Sequence, residues 1–115
     1  MTKTNDFLHL VFFWLKADTT DSQRQAFLEG LKGLEVIDGV KYLSCGVPGQ
    51  TPRAVVDNSY DYCSVVNFVS KEAHDAYQTH PLHEAFLAQF KPIWEKVLVY
   101  DMIIQWFHNA VYNSS

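Results

Sequence analysis

The run Phe7-Leu8-His9-Leu10-Val11-Phe12-Phe13-Trp14-Leu15 is almost unbroken apolar sequence, dense in aromatic and β-branched side chains. Its composition predicts a β-strand. The period then changes. Phe27, Leu31 and Leu34 recur at i, i+4 and i+7 with Leu28 beside them, one apolar stripe of a helix. Asp18, Thr19, Thr20 and Asp21 precede it as N-cap candidates. Gly30 and Gly33 lie inside this stretch, each weakening helix propensity by about 1 kcal/mol. The helix is therefore expected to end near Leu34, with Asp38-Gly39 turning the chain.

Residues 41–47 predict a short second strand. Residues 48–58 hold two prolines and a glycine among polar residues and predict a loop, and 60–69 predict the third strand. Ser70 is a helix cap with Glu72 in the first turn, and that helix ends near Thr79. His80-Pro81 opens the next one, because proline is favoured at the first helical position. Leu82, Ala85, Phe86, Gln89 and Phe90 follow at helical spacing. Pro92 kinks this helix and Ile93-Trp94 closes it. Residues 97–106 predict the fourth strand, and 107–115 a polar-ended tail.

The order β-α-β-β-α-β is the ferredoxin-like plan, an α+β fold with a four-stranded antiparallel sheet and helices on one face. At 115 residues the chain is one domain, 1–115, with its core in 7–106. A sheet covered on one side normally shows a polar outer face. Here His9, Val11, Phe13 and Leu15 alternate with Leu8, Leu10, Phe12 and Trp14, and Val97, Val99 and Ile103 alternate with Leu98, Tyr100, Met102, Ile104 and Trp106. Both faces are apolar. A second copy packed sheet against sheet is the simplest cover, so a homodimer through the sheet face is expected.

Composition narrows the function classes. The chain is 48% hydrophobic and 15% aromatic, with a net charge of −4. It is too apolar for disorder and has no basic stripe for nucleic acid. Residues 7–15 are too short to span a bilayer and lack the flanks of a secretion signal. A cytoplasmic protein with no membrane partner is the expectation. Cys45 and Cys63 form neither a disulfide framework nor a zinc motif and read as small buried thiols.

Candidate chemistry concentrates in Tyr77-Gln78-Thr79-His80-Pro81-Leu82-His83, a phenol and two imidazoles at a helix break. A neutral imidazole is a base near pH 7, and a phenol can donate to a developing oxyanion. Plainer readings stand beside these. His80 before Pro81 is suited to a helix cap. His83 could fix the helix break through a backbone carbonyl. His9 could be a satisfied core histidine, and Tyr62 fits core or pocket. His80 and His83 with Glu84 could supply metal ligands, but a third well-placed ligand is not evident. No metal or cofactor is expected. His74 and His108 read as solvated.

Several segments resemble the stress-responsive dimeric α/β-barrel (Dabb) family. These are His9 to Lys16, Ile37-Asp-Gly-Val40, Tyr60-Asp-Tyr62, Tyr77-x-x-His80-Pro-x-His83 and Tyr100-Asp101. The resemblance covers about residues 7 to 103 and implies a homodimeric barrel. It is similar in detail to the family's plant polyketide cyclases, which close a linear polyketide by intramolecular aldol condensation without a cofactor. That similarity implies Tyr77 and His83 as catalytic residues and His9 as a pocket histidine. Tyr62 stands where those cyclases carry another histidine, which implies a different pocket shape.

The expected site is Tyr77 and His83 for chemistry, with His9, Val11, Tyr62, His80 and Phe86 as substrate-binding residues. The expected function is binding of a small apolar or aromatic molecule between sheet and helices. A cofactor-free cyclase and a purely structural stress protein remain as alternatives.

Overall fold

The computed structural model describes residues 5–106; the expected tail, 107–115, lies outside them. Strand β1 (Phe7–Leu15) leads to α1 (Asp21–Lys32) and a 3-10 turn (Gly33–Val36). Strands β2 (Val40–Gly46) and β3 (Tyr62–Phe68) follow, then α2 (Lys71–Gln78), α3 (Pro81–Phe90), a second 3-10 turn (Lys91–Ile93) and β4 (Trp94–Ile103). The strands form one antiparallel sheet in the order β2-β3-β1-β4. This is the ferredoxin-like arrangement.

Local chemistry sets the helix starts. Thr20 caps α1: its hydroxyl accepts from the Gln23 backbone N–H at 3.1 Å, and the Gln23 side chain accepts from the Thr20 backbone N–H at 2.8 Å. Ser70 caps α2 by accepting from the Ala73 N–H at 3.1 Å. Each cap satisfies an orphan donor of a helix start. Gly30, a liability for helix propensity, has a packing reason. A Cβ there would collide with the Phe90 ring of α3, so the bare backbone is what lets the two helices meet.

Burial alternates strictly along β1: Phe7, His9, Val11, Phe13 and Leu15 are buried, and the residues between them are half-buried. Phe27, Leu31, Phe86 and Phe90 from the helices join Val66 and Phe68 of β3 on the covered side. Phe27 is fully buried, with the Phe13, Phe86 and Phe90 rings 5.0, 5.8 and 5.6 Å away. On the opposite side the register aligns Leu8 with Met102, Leu10 with Tyr100 and Phe12 with Leu98. This outer face is apolar, and among the described residues no helix covers it.

Strands β2 and β3 lie within two residues of their expected bounds, and three boundaries around β4 differ from expectation. Trp94 opens β4 instead of closing a helix, and it pairs with Leu15. The helical pattern stops at Phe90 because Pro92 sits in a 3-10 turn. The last strand ends at Ile103, before the exposed Trp106. Cys45 and Cys63, expected as buried thiols, are exposed and half-buried respectively. The first lies on the edge strand β2, and the second points to the uncovered face opposite Phe12. Among the described residues no helix is long and apolar enough to cross a membrane.

Candidate functional site

The cavity lies between the inner face of the sheet and the helical layer. It measures about 150 Å³ and is lined from β1 by His9, Val11 and Phe13, and from the helices by Tyr77, His83 and Phe86. Val97 and Val99 of β4 complete one wall and remain 37% and 43% exposed, although they face the helices. The cavity therefore opens at the β4 edge. Ser64, Gln78 and Trp94 also border it, and the lining is mainly apolar.

The break between α2 and α3 builds one corner of the cavity. His80 caps α3, its Nδ1 accepting from the Leu82 N–H at 3.1 Å with Pro81 at the first helical position. That turn carries His83 back over the end of α2. His83 Nδ1 lies 3.2 Å from the Gln78 carbonyl oxygen. A carbonyl can only accept, so Nδ1 carries the proton and Nε2 keeps the lone pair. The same bond satisfies a carbonyl left over at the end of α2. Thus the structural reading of His83 and the base reading are compatible: the contact that fixes the break also fixes the tautomer a base needs. Burial lowers the His83 pKa below its ordinary 6.5, opposed by the bond to Gln78, so the ring is neutral at pH 7.

Tyr77 packs beside it, with ring centroids 4.6 Å apart. Burial pushes the Tyr77 phenol well above its ordinary value of 10.0. It remains a protonated donor at neutral pH. A neutral acceptor nitrogen and a protonated phenol thus share one side of the cavity.

His9 faces the cavity from β1. Its Nδ1 lies 2.6 Å from Asp101 Oδ1 of β4, a cross-strand pair set by the register His9↔Asp101. Burial lowers the His9 pKa, while the hydrogen bond to Asp101 works in the opposite direction. The contact is therefore a neutral Nδ1–H donating to a carboxylate at pH 7.

Of the residues expected at the site, Tyr77, His83, His9, Val11 and Phe86 line one cavity. Two do not. His80 turns its ring onto its own helix start. Tyr62 sits at the other end of β3, its ring 5.9 Å from Phe27 and beside the Arg24 guanidinium. Sequence reasoning assigned no role to Asp101 or Trp94 and misjudged His74. The His74 side chain is 12% exposed, not solvated, because it stacks on Phe7 at 4.4 Å and lies 5.0 Å from the His9 ring. The signal for it was its spacing three residues before Tyr77, which places both on the inward stripe of α2.

Fold and cavity define a small ferredoxin-like domain with an apolar pocket under its helices. The chain matches the stress responsive A/B barrel domain over residues 7–104 and belongs to that family. It is 29% identical over 99 residues to an Arabidopsis thaliana stress-response A/B barrel domain-containing protein, covering 85% of this chain and 86% of the relative. It is 27% identical over 94 residues to olivetolic acid cyclase of Cannabis sativa, covering 81% of this chain and 91% of the cyclase. A dimeric ferredoxin-like protein of unknown function from Thermobifida fusca shares the fold, with a TM-score of 0.74 at 21% identity over 90% of this chain and 95% of that one.

Proposed function

We propose that this chain is a homodimeric small-molecule-binding protein whose cavity takes a single apolar or aromatic ring bearing an oxygen acceptor. The observation that carries this is the cavity itself, about 150 Å³ and open at the β4 edge. An apolar cavity of about 150 Å³ accommodates benzene, so the volume suits one ring and leaves a longer substituent to emerge at the opening. The protonated Tyr77 phenol in the cavity lining supports the oxygen acceptor, because it is a hydrogen-bond donor there. Dimerisation is supported by the uncovered apolar face of the sheet and by the dimeric state of the Thermobifida fusca relative.

A second reading, cofactor-free proton transfer of the cyclase kind, is favoured by one specific arrangement. His83 presents a neutral Nε2 beside the protonated Tyr77 phenol. In this reading His83 removes a proton α to a carbonyl and Tyr77 donates to the enolate oxygen that forms. His9 and Val11 orient the substrate, and Phe86 packs against its apolar part. The similarity to olivetolic acid cyclase raises this reading.

The test is a ligand screen of the whole chain by thermal shift and calorimetry, using phenolic ketones, aromatic acids and short β-diketones. A ligand at 100 times its Kd adds about 2.7 kcal/mol to the stability of the folded state. Binders are expected, and Tyr77→Phe and His83→Ala should weaken them. If no compound with a single ring shifts the melting temperature at millimolar concentration, the binding reading fails. If a bound β-diketone exchanges its α-proton at the same rate in His83→Ala, the proton-transfer reading fails.

A further inference from the structure

The His9–Asp101 pair has a third neighbour. One potential ligand atom from each of His9, His74 and Asp101 lies within 4.8 Å of the others. The three come from β1, α2 and β4, so the tertiary fold, and no local motif, assembles them. We propose that these side chains form a binding site for one divalent first-row transition ion, zinc foremost, at the rim of the cavity.

The donor set selects the class of ion. Two imidazoles and a carboxylate suit zinc and its neighbours, whereas magnesium and calcium prefer oxygen throughout. With metal–ligand bonds of about 2.0–2.1 Å, the ligand atoms of a tetrahedral site stand about 3.3 Å apart. The 4.8 Å envelope closes to that spacing with small side-chain movements, and the 2.6 Å contact between His9 and Asp101 opens by less than an ångström.

A second, independent observation concerns orientation. His74 Nδ1 lies 3.0 Å from Asp75 Oδ1. A carboxylate accepts, so Nδ1–H is donated to Asp75 and Nε2 is left with its lone pair. Donation of one ring N–H to a carboxylate is the usual way a metal-binding histidine is held in position. Nε2 faces the side-chain amide of Gln78 at 3.1 Å, a group that can turn aside or present its oxygen. Both imidazoles are largely desolvated, while the Asp101 side chain is 38% exposed at the edge strand. The carboxylate thus offers an entry path to one preformed nitrogen donor, His74 Nε2, and to His9 Nδ1, whose proton the ion displaces. His9 and Gln78 also line the cavity, so an ion held here would border any bound molecule.

This inference goes beyond the ligand-binding reading and does not need it, because the ion alone is the probe. Purified full-length protein, stripped with chelator, is titrated with zinc chloride by calorimetry and with cobalt(II) by visible absorption. The expected result is one ion per chain with micromolar affinity or better, and cobalt bands typical of nitrogen–oxygen coordination. His74→Ala and Asp101→Asn should each weaken zinc at least tenfold. Asp75→Asn, a change at an exposed side chain that leaves all three ligands in place, should weaken it by about tenfold through loss of orientation. His80→Ala should bind as the parent does. Absence of zinc binding by the parent overturns the proposal. So does affinity that survives Asp75→Asn together with His74→Ala, or affinity lost in His80→Ala. Should His74→Ala fail to fold by circular dichroism, Asp75→Asn decides alone.

Discussion

Replacing Tyr100 with alanine tests whether the outer face of the sheet is a dimer interface. Tyr100 points away from the helices, opposite Leu10, and is 59% exposed in the single chain. A tyrosine presents about 200 Å², so about 120 Å² remains to be covered by a partner. At about 25 cal/mol per Å² this is worth about 3 kcal/mol, of which alanine and the polar hydroxyl leave about 2 kcal/mol to be lost per copy. A two-fold interface counts the change twice, giving about 4 kcal/mol and about a thousandfold rise in the dimer Kd. Within its own chain Tyr100 makes an edge contact with Phe12 at 6.2 Å, so the protomer should keep its fold. Sedimentation over a concentration series measures the Kd directly. Val36→Ala, which removes an even more exposed apolar side chain from the 3-10 turn after α1, is the control and should change nothing. A parent protein that sediments as a monomer at micromolar concentration would refute the reasoning, as would Tyr100→Ala dimerising with parental affinity.

Two further outcomes follow from the interior. His9 and His83 both have pKa values lowered by burial, so the unfolded chain binds more protons than the native one. Stability is therefore complete above the ordinary histidine value of 6.5 and falls as pH drops below it toward the lowered native values; urea unfolding at stepped pH should give a shallower decline for His83→Gln, and an unchanged slope would count against burial of a neutral ring. Gly30→Ala should destabilise by about 1 kcal/mol net, the gain in helix propensity being outweighed by overpacking against Phe90; a more stable variant in denaturant melts would show that the close approach of α1 and α3 is not constrained.

The order of elements was legible because each local signal is strong. Residues 7–15 are dense in aromatic and β-branched side chains, and α1 carries Phe27 and Leu31 one turn apart. The start of β4 was not, because Pro92-Ile93-Trp94 continues an apolar run and only pairing with Leu15 reveals the strand. The same division holds at the site. Tyr77 and His83 were legible because six residues and one helix break bring them together. The His9–Asp101 pair spans 92 residues and exists only through strand register. His74 was misread because Lys71, Glu72 and Asp75 around it are exposed; one helical position decides whether a histidine in such company faces water or Phe7.

The position of the cavity follows from what the helices fail to cover. Two side-by-side helices span about 20 Å, close to the width of four strands at about 4.8 Å spacing. Any contraction of the helical layer must therefore leave a strand bare. Gly30 permits that contraction by admitting the Phe90 ring against the backbone of α1. The strand left bare is β4, whose inward Val97, Val99 and Ile103 stay 37%, 43% and 46% exposed. His9 and Asp101 face each other across the β1–β4 boundary, where the helical cover gives out. The helix break then supplies Tyr77 and His83 from above. Closer packing on one side of the molecule is thus what opens a site on the other, and the polar groups collect along the seam where desolvation is only partial.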